Sequence, residues 1–171
     1  MGMPPLEYKK MKKGGLPIIL IQYLLHPGRC GIGIANLATE FQQLAEAAKR
    51  TGAYISLGFS ERDAVIGTLY NSNVIFEPDG SYKIHRKLKP TGSERLVWGD
   101  ANKDYFPITE TPWGPIGSLI CWESYMPLAR VALYQKGITI YISPNTNDNP
   151  EWQATIQHIA IEGKCLSLIH I

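Results

Sequence analysis

Residues 116–143 read IGSLICWESYMPLARVALYQKGITIYIS, and two apolar runs, 116–120 and 138–143, enclose a segment of different character. Between them Met126, Leu128, Ala129, Ala132 and Leu133 recur at helical spacing, Pro127 suits a first helical turn, and Gly137 suits a stop. Buried strand, amphipathic helix and buried strand follow one another, the unit from which sheets with covering helices are assembled. Upstream, Thr39 with Gln42 forms a capping box, Phe41, Leu44, Ala45 and Ala48 line one face, and Gly52 follows Lys49 and Arg50, which predicts a helix. Residues 54–59 and 68–76 read as strands, and Pro78-Asp79-Gly80-Ser81 as a hairpin turn into 82–85. Residues 86–100 show no period and are expected to be a long loop. Downstream, 144–150 is a polar loop and 151–164 a helix with Trp152, Ile156, Ile159 and Ala160 inside. The expected class is α/β, a layered domain with helices over the sheet.

Composition agrees with one globular core: 171 residues, 44% hydrophobic and 19% charged. The net charge is +2, and its basic excess sits at Lys9, Lys10, Lys12 and Lys13, so the body of the chain offers no stripe for nucleic acid. Three cysteines, Cys30, Cys121 and Cys165, make an odd number without a CxxC pair, which argues against a disulfide framework and for a reducing, cytoplasmic setting. His26, His85, His158 and His170 lack ligand spacing, and no metal is expected. The apolar run 16–25 is interrupted by Pro17 and Gln22 and is shorter than the roughly 20 residues a bilayer requires, so neither signal peptide nor membrane contact is expected.

Cys121 falls where a buried strand breaks toward a helix, the placement of the nucleophile in the strand-to-helix elbows of hydrolases. A helix N-terminus favours a thiolate and leaves backbone N–H groups free for an oxyanion. The competing reading is a buried cysteine acting as a small hydrophobe. Polar density nearby favours chemistry: Cys121-Trp122-Glu123, and His85-Arg86-Lys87-Leu88-Lys89-Pro90-Thr91 at the end of the hairpin. Lys89 reads as solvated, whereas an inward Lys87 is a fixed donor to developing negative charge.

The stretches HRKLKPTGSERLVWGD (85–100), LICWESYMPLAR (119–130) and EWQATIQHIAIEGKC (151–165) resemble the carbon–nitrogen hydrolase superfamily, specifically its nitrilase branch, which includes cyanide-degrading enzymes. The resemblance spans residues 39–165. It implies a four-layer αββα sandwich, a Glu–Lys–Cys triad and no cofactor. By it, Cys121 is the nucleophile and Lys87 the triad lysine, with the Trp122 N–H as an oxyanion donor. Glu94 matches a carboxylate that orients the lysine or water, and Glu123 supports Cys121 from behind or acts as a simple ion pair or helix-start carboxylate. The implied reaction converts a small nitrile into carboxylic acid and ammonia through a thioimidate. Amide hydrolysis, cyanide hydration and a non-catalytic relative are the alternatives. Dimers or spirals are implied for the full-length protein. Substrate selection is expected from Trp113, Tyr125 and 145–149.

Both ends depart from the pattern. Residues 1–38 match nothing in the family and are read as mis-framed; the triad glutamate is not found, since Glu7 lacks a strand context and Glu40 and Glu46 lie on a helix face. The closing Leu166-Ser167-Leu168-Ile169-His170-Ile171 equals the translation of a transposon sequencing adapter, CTG TCT CTT ATA CAC ATC, against the alternative of a natural short strand. The expectation is a truncated, inactive fragment of a nitrile hydrolase, lacking the strand with the triad glutamate and the C-terminal part of the sandwich.

Overall fold

The computed structural model describes residues 18–22, 34–146 and 149–169. The chain order is β1 (Ile18–Gln22), α1 (Ile34–Thr51), β2 (Tyr54–Arg62), β3 (Leu69–Phe76), β4 (Tyr82–Arg86), β5 (Ile116–Ser118), α2 (Pro127–Gln135), β6 (Ile140–Ser143), α3 (Pro150–Gly163) and β7 (Leu166–Ile169). Strands β1-β2-β3-β4 make one sheet, with β1 parallel to β2 and the other neighbours antiparallel. Strands β5-β6-β7 make a second, parallel sheet.

Strand alternation sorts side chains into layers. Val74 and Phe76 on β3, with Ile55 and Phe59 on β2, pack against Phe41, Leu44 and Ala48 of α1. Ile75 and Tyr54 face the other way and meet Ile116, Ile140 and Ile142 of the second sheet. Tyr141, between Ile140 and Ile142, turns outward to Leu133, Trp152, Ile156 and Ile159 of α2 and α3. The result is the expected αββα sandwich.

Three boundaries differ from expectation. Helix α1 starts at Ile34, so Thr39 is interior and not a cap: Ala35, Leu37 and Ala38 are good helix formers and carry the helix back past it. Its stop is as read, with Gly52 at φ +64° and Lys49 and Arg50 in the last turn. Strand β5 ends at Ser118, and residues Cys121–Tyr125 form a 3-10 turn before α2 opens at Pro127. The loop 86–100 contains a second 3-10 turn, Gly92–Leu96. Strand β1 lies inside the stretch 1–38, and residues 166–169 pair with β6. Among the described residues no helix is long and apolar enough to cross a membrane.

Candidate active site

Lys87 and Cys121 approach from opposite sheets. Lys87 directly follows β4, its N–H donating to Asn71 O at 2.7 Å, and its side chain is fully buried. The ammonium donates to Glu94 Oε2 at 2.6 Å, and the same oxygen accepts the Thr91 N–H at 2.6 Å. The inward orientation that the sequence left conditional is therefore met, and Glu94, partly exposed, is its counter-charge. Lys89, two residues on, points to solvent and pairs with Asp100.

Cys121 follows β5 by an extended link whose backbone still tracks β6: the Leu119 N–H donates to Ile142 O and the Cys121 N–H to Pro144 O at 2.9 Å. Its φ of +54° places a non-glycine residue in the left-handed region, strain of a kind stored at functional turns. The electrostatics correct the expectation of an acidic thiol. Burial pushes the Cys121 thiol above its usual value; the Lys87 ammonium and the Trp122 N–H pull it down without cancelling that, and the Glu94 and Glu123 carboxylates add to the rise. The cause is burial, and a five-residue 3-10 turn stands where a helix N-terminus was anticipated.

Glu123 is completely buried and spent on three donors. Its Oε1 accepts the Leu88 N–H at 2.6 Å, and its Oε2 accepts the Ile120 N–H at 2.5 Å and His85 Nε2 at 3.0 Å. It therefore joins the turn of Cys121 to the strand end of Lys87, and through His85 and the Ile120 N–H it is also a paired, turn-start carboxylate. Arg130 of α2 steadies the same turn from outside, with Nη1 donating to Ser124 O at 2.8 Å and Nε to Glu162 Oε2 at 2.9 Å. Neither Arg130 nor His85 has a role that local sequence reveals; an arginine inside the apolar periodicity of α2 was the available signal.

Of the expected pocket residues, Tyr125 stacks beside exposed Trp122 at 4.9 Å. Trp113 does not belong with them. It lies against Tyr54 and accepts from Thr139 at its carbonyl, at the end of the parallel sheet opposite Cys121. Asn145 is buried just after β6, Asn149 caps α3 by accepting the Trp152 N–H at 2.8 Å, and residues 147–148 lie outside the described set.

The carbon-nitrogen hydrolase family profile matches residues 18–168. The chain belongs to this family. It is 49% identical over 135 residues to an aliphatic nitrilase of Sinorhizobium fredii, covering 79% of this chain and 43% of that protein. With nitrilase 2 of Arabidopsis thaliana it shares 44% identity over 130 residues, 75% of this chain and 38% of the relative. The chain thus spans less than half the length of these carbon–nitrogen hydrolases. In fold it superimposes on an amidase of the nitrilase superfamily from Nesterenkonia with a TM-score of 0.76 at 12% identity, covering 91% of this chain and 63% of that one.

Proposed function

We propose that this chain carries the thiol, the lysine and the supporting carboxylates of an enzyme that hydrolyses nitriles to carboxylic acids and ammonia. The observation behind the reading is buried Lys87 acting on Cys121 from a facing strand end, in a chain 44% and 49% identical to proteins named nitrilases. Those names also support small nitriles as the substrate class, with aliphatic ones first.

In the proposed reaction, the Cys121 thiolate adds to the nitrile carbon; a C–S bond forms, one C–N π bond opens, and the nitrogen takes a proton to give a thioimidate. Water adds to the C=N bond, the protonated nitrogen leaves as ammonia, and a thioester remains. A second water attacks the thioester carbon, the C–S bond breaks, and the acid departs with the thiol restored. Lys87 and the Trp122 N–H hold the negative charge that develops on nitrogen and then on oxygen. Glu94 keeps the ammonium aimed. Because burial favours the protonated thiol at rest, a base must take its proton. The resemblance gives that task to a strand-end glutamate, and β1, which reads IILIQ, carries no carboxylate to fill it.

The test incubates the protein with a short aliphatic nitrile and follows ammonia together with the intact mass. With no carboxylate in β1 to act as base, the expected result is a slowly formed adduct with at most a trace of ammonia, both lost in Cys121→Ala. Absence of adduct and ammonia alike overturns the reading. Carboxamide accumulating in place of acid would shift it to nitrile hydration on the same residues.

A further inference from the structure

The two sheets meet through an apolar layer of Tyr54, Ile75, Ile116, Ile140 and Ile142, and a polar chain runs through that layer. Ser56 Oγ donates to Asn73 Oδ1 at 3.0 Å, and Asn73 Nδ2 donates to Ser118 Oγ at 3.1 Å. All three residues are buried, Asn73 to 1% exposure. Apolar contact is non-directional and leaves the slide of one sheet over the other weakly specified. A buried amide is different, because it is tolerated only when its donor and acceptor are both met, and a slide of one residue would strand them.

The positions at either end of this chain give the bond a consequence. Asn73 stands on β3 directly opposite His85 on β4, and Lys87 lies just beyond His85. Ser118 is the last residue of β5, and Cys121 lies just beyond Ser118. The contact between Asn73 and Ser118 therefore fixes β3, the partner of the strand that delivers the lysine, against the strand that delivers the thiol. We propose that Asn73 is a positioning residue: it pins β3 to β5 across the sandwich and so sets where Lys87 meets Cys121. It touches neither group itself, and it acts inside the layer between the sheets, whereas Glu123 ties the two strand ends at the site.

The proposal takes the use of the Lys87 and Cys121 pair from the nitrile reading, yet its test needs no nitrile. In a Cys30→Ser, Cys165→Ser background, the rate of Cys121 alkylation by iodoacetamide is followed against pH, with circular dichroism confirming the fold. Lys87→Met sets the full effect of removing the ammonium. Asn73→Leu, similar in size and apolar, is expected to remain folded while its alkylation profile moves to higher pH, each unit lowering the neutral-pH thiolate fraction about tenfold. In the Lys87→Met background the same substitution is expected to move the profile no further. A profile left in place by Asn73→Leu overturns the proposal, and so does an equal shift with and without Lys87. If Asn73→Leu fails to fold, Ser118→Ala, which removes one hydroxyl from the same chain, is read by the same two criteria. Failure of the unmodified protein to form a Cys121 adduct with a nitrile would count against the nitrile reading alone, and an unmoved alkylation profile against this one alone.

Discussion

The Glu123 carboxylate accepts the Leu88 N–H at 2.6 Å, which makes a residue two positions beyond Cys121 an anchor for the residue next to Lys87. The contact crosses from one sheet to the other, and the second carboxylate oxygen holds Ile120 and His85. A carboxylate suits this place because every partner is a donor; an amide in the same volume has donors of its own to satisfy.

Glu123→Gln is therefore expected to be more disruptive than its small change in shape suggests. One end of the amide must set its NH2 against a backbone N–H or the imidazole, leaving a buried donor unmet at a cost of about 1–3 kcal/mol. For a domain of this size each kcal/mol lowers the melting temperature by roughly 2–4 °C, so the loss is measurable by thermal circular dichroism. A melting temperature equal to the unmodified protein's would show that the three hydrogen bonds are dispensable.

Lys87 and Glu94 are expected to be strongly coupled. Glu94→Gln strands a buried ammonium and is predicted to destabilise by about 2 kcal/mol. Lys87→Met removes the charge and the need for its partner, so the double variant should be less destabilised than the two single changes together. Urea denaturation of the four proteins gives the coupling directly, and strict additivity would show that the 2.6 Å contact contributes nothing.

Alkaline pH should loosen the fold through groups whose protons the folded state retains. Burial raises the Cys121 thiol from its ordinary 9.0 and the Tyr141 hydroxyl from 10.0, the latter enclosed with Ser124 and Ser143. The unfolded chain gives up these protons first, so the stability is fully present below the unfolded values and is lost as pH rises through them toward the folded ones. Urea midpoints are expected to fall between about pH 8 and about pH 10.5, and Tyr141→Phe is expected to flatten that fall. An unchanged slope in Tyr141→Phe would mean that its hydroxyl ionises as freely folded as unfolded.

Much of this architecture is written locally. The alternation of Val74, Ile75 and Phe76 and the helical spacing of Ala129 and Leu133 each name a face, and the folded chain uses those faces. Thr39 and Gln42 misled because a capping pattern is equally at home inside a longer helix when good helix formers precede it. The Cys121 and Lys87 motifs were legible as types, but the raised thiol pKa was not, since it depends on burial in the folded chain that no local stretch shows. Asn73 did leave a trace: in LYNSNVIF it is polar at a position that alternation assigns to the interior. Sequence shows that such a residue needs a partner; only the stacking of the sheets shows that the partner is Ser118.

Arg130 carries the last prediction. Its planar head reaches Ser124 O at 2.8 Å and Glu162 Oε2 at 2.9 Å together, joining the turn of Cys121 to α3, and a lysine has one nitrogen for both tasks. Arg130→Lys is expected to keep the pairing with Glu162 and release Ser124, lowering thermal stability by about 1 kcal/mol and raising the rate at which chymotrypsin cleaves the native fold after Trp122 or Tyr125. The acid side offers a second readout. The hydrogen bond from Arg130, with help from Tyr134, holds the Glu162 carboxyl below its usual value, so this contribution is present above the unfolded value and lost as pH falls through the folded one. Arg130→Met should remove most of that acid-range loss and Arg130→Lys little of it. If Arg130→Met instead leaves the pH dependence of unfolding below about pH 5 untouched, Glu162 draws its stabilisation from elsewhere and the link between α2 and α3 is not electrostatic.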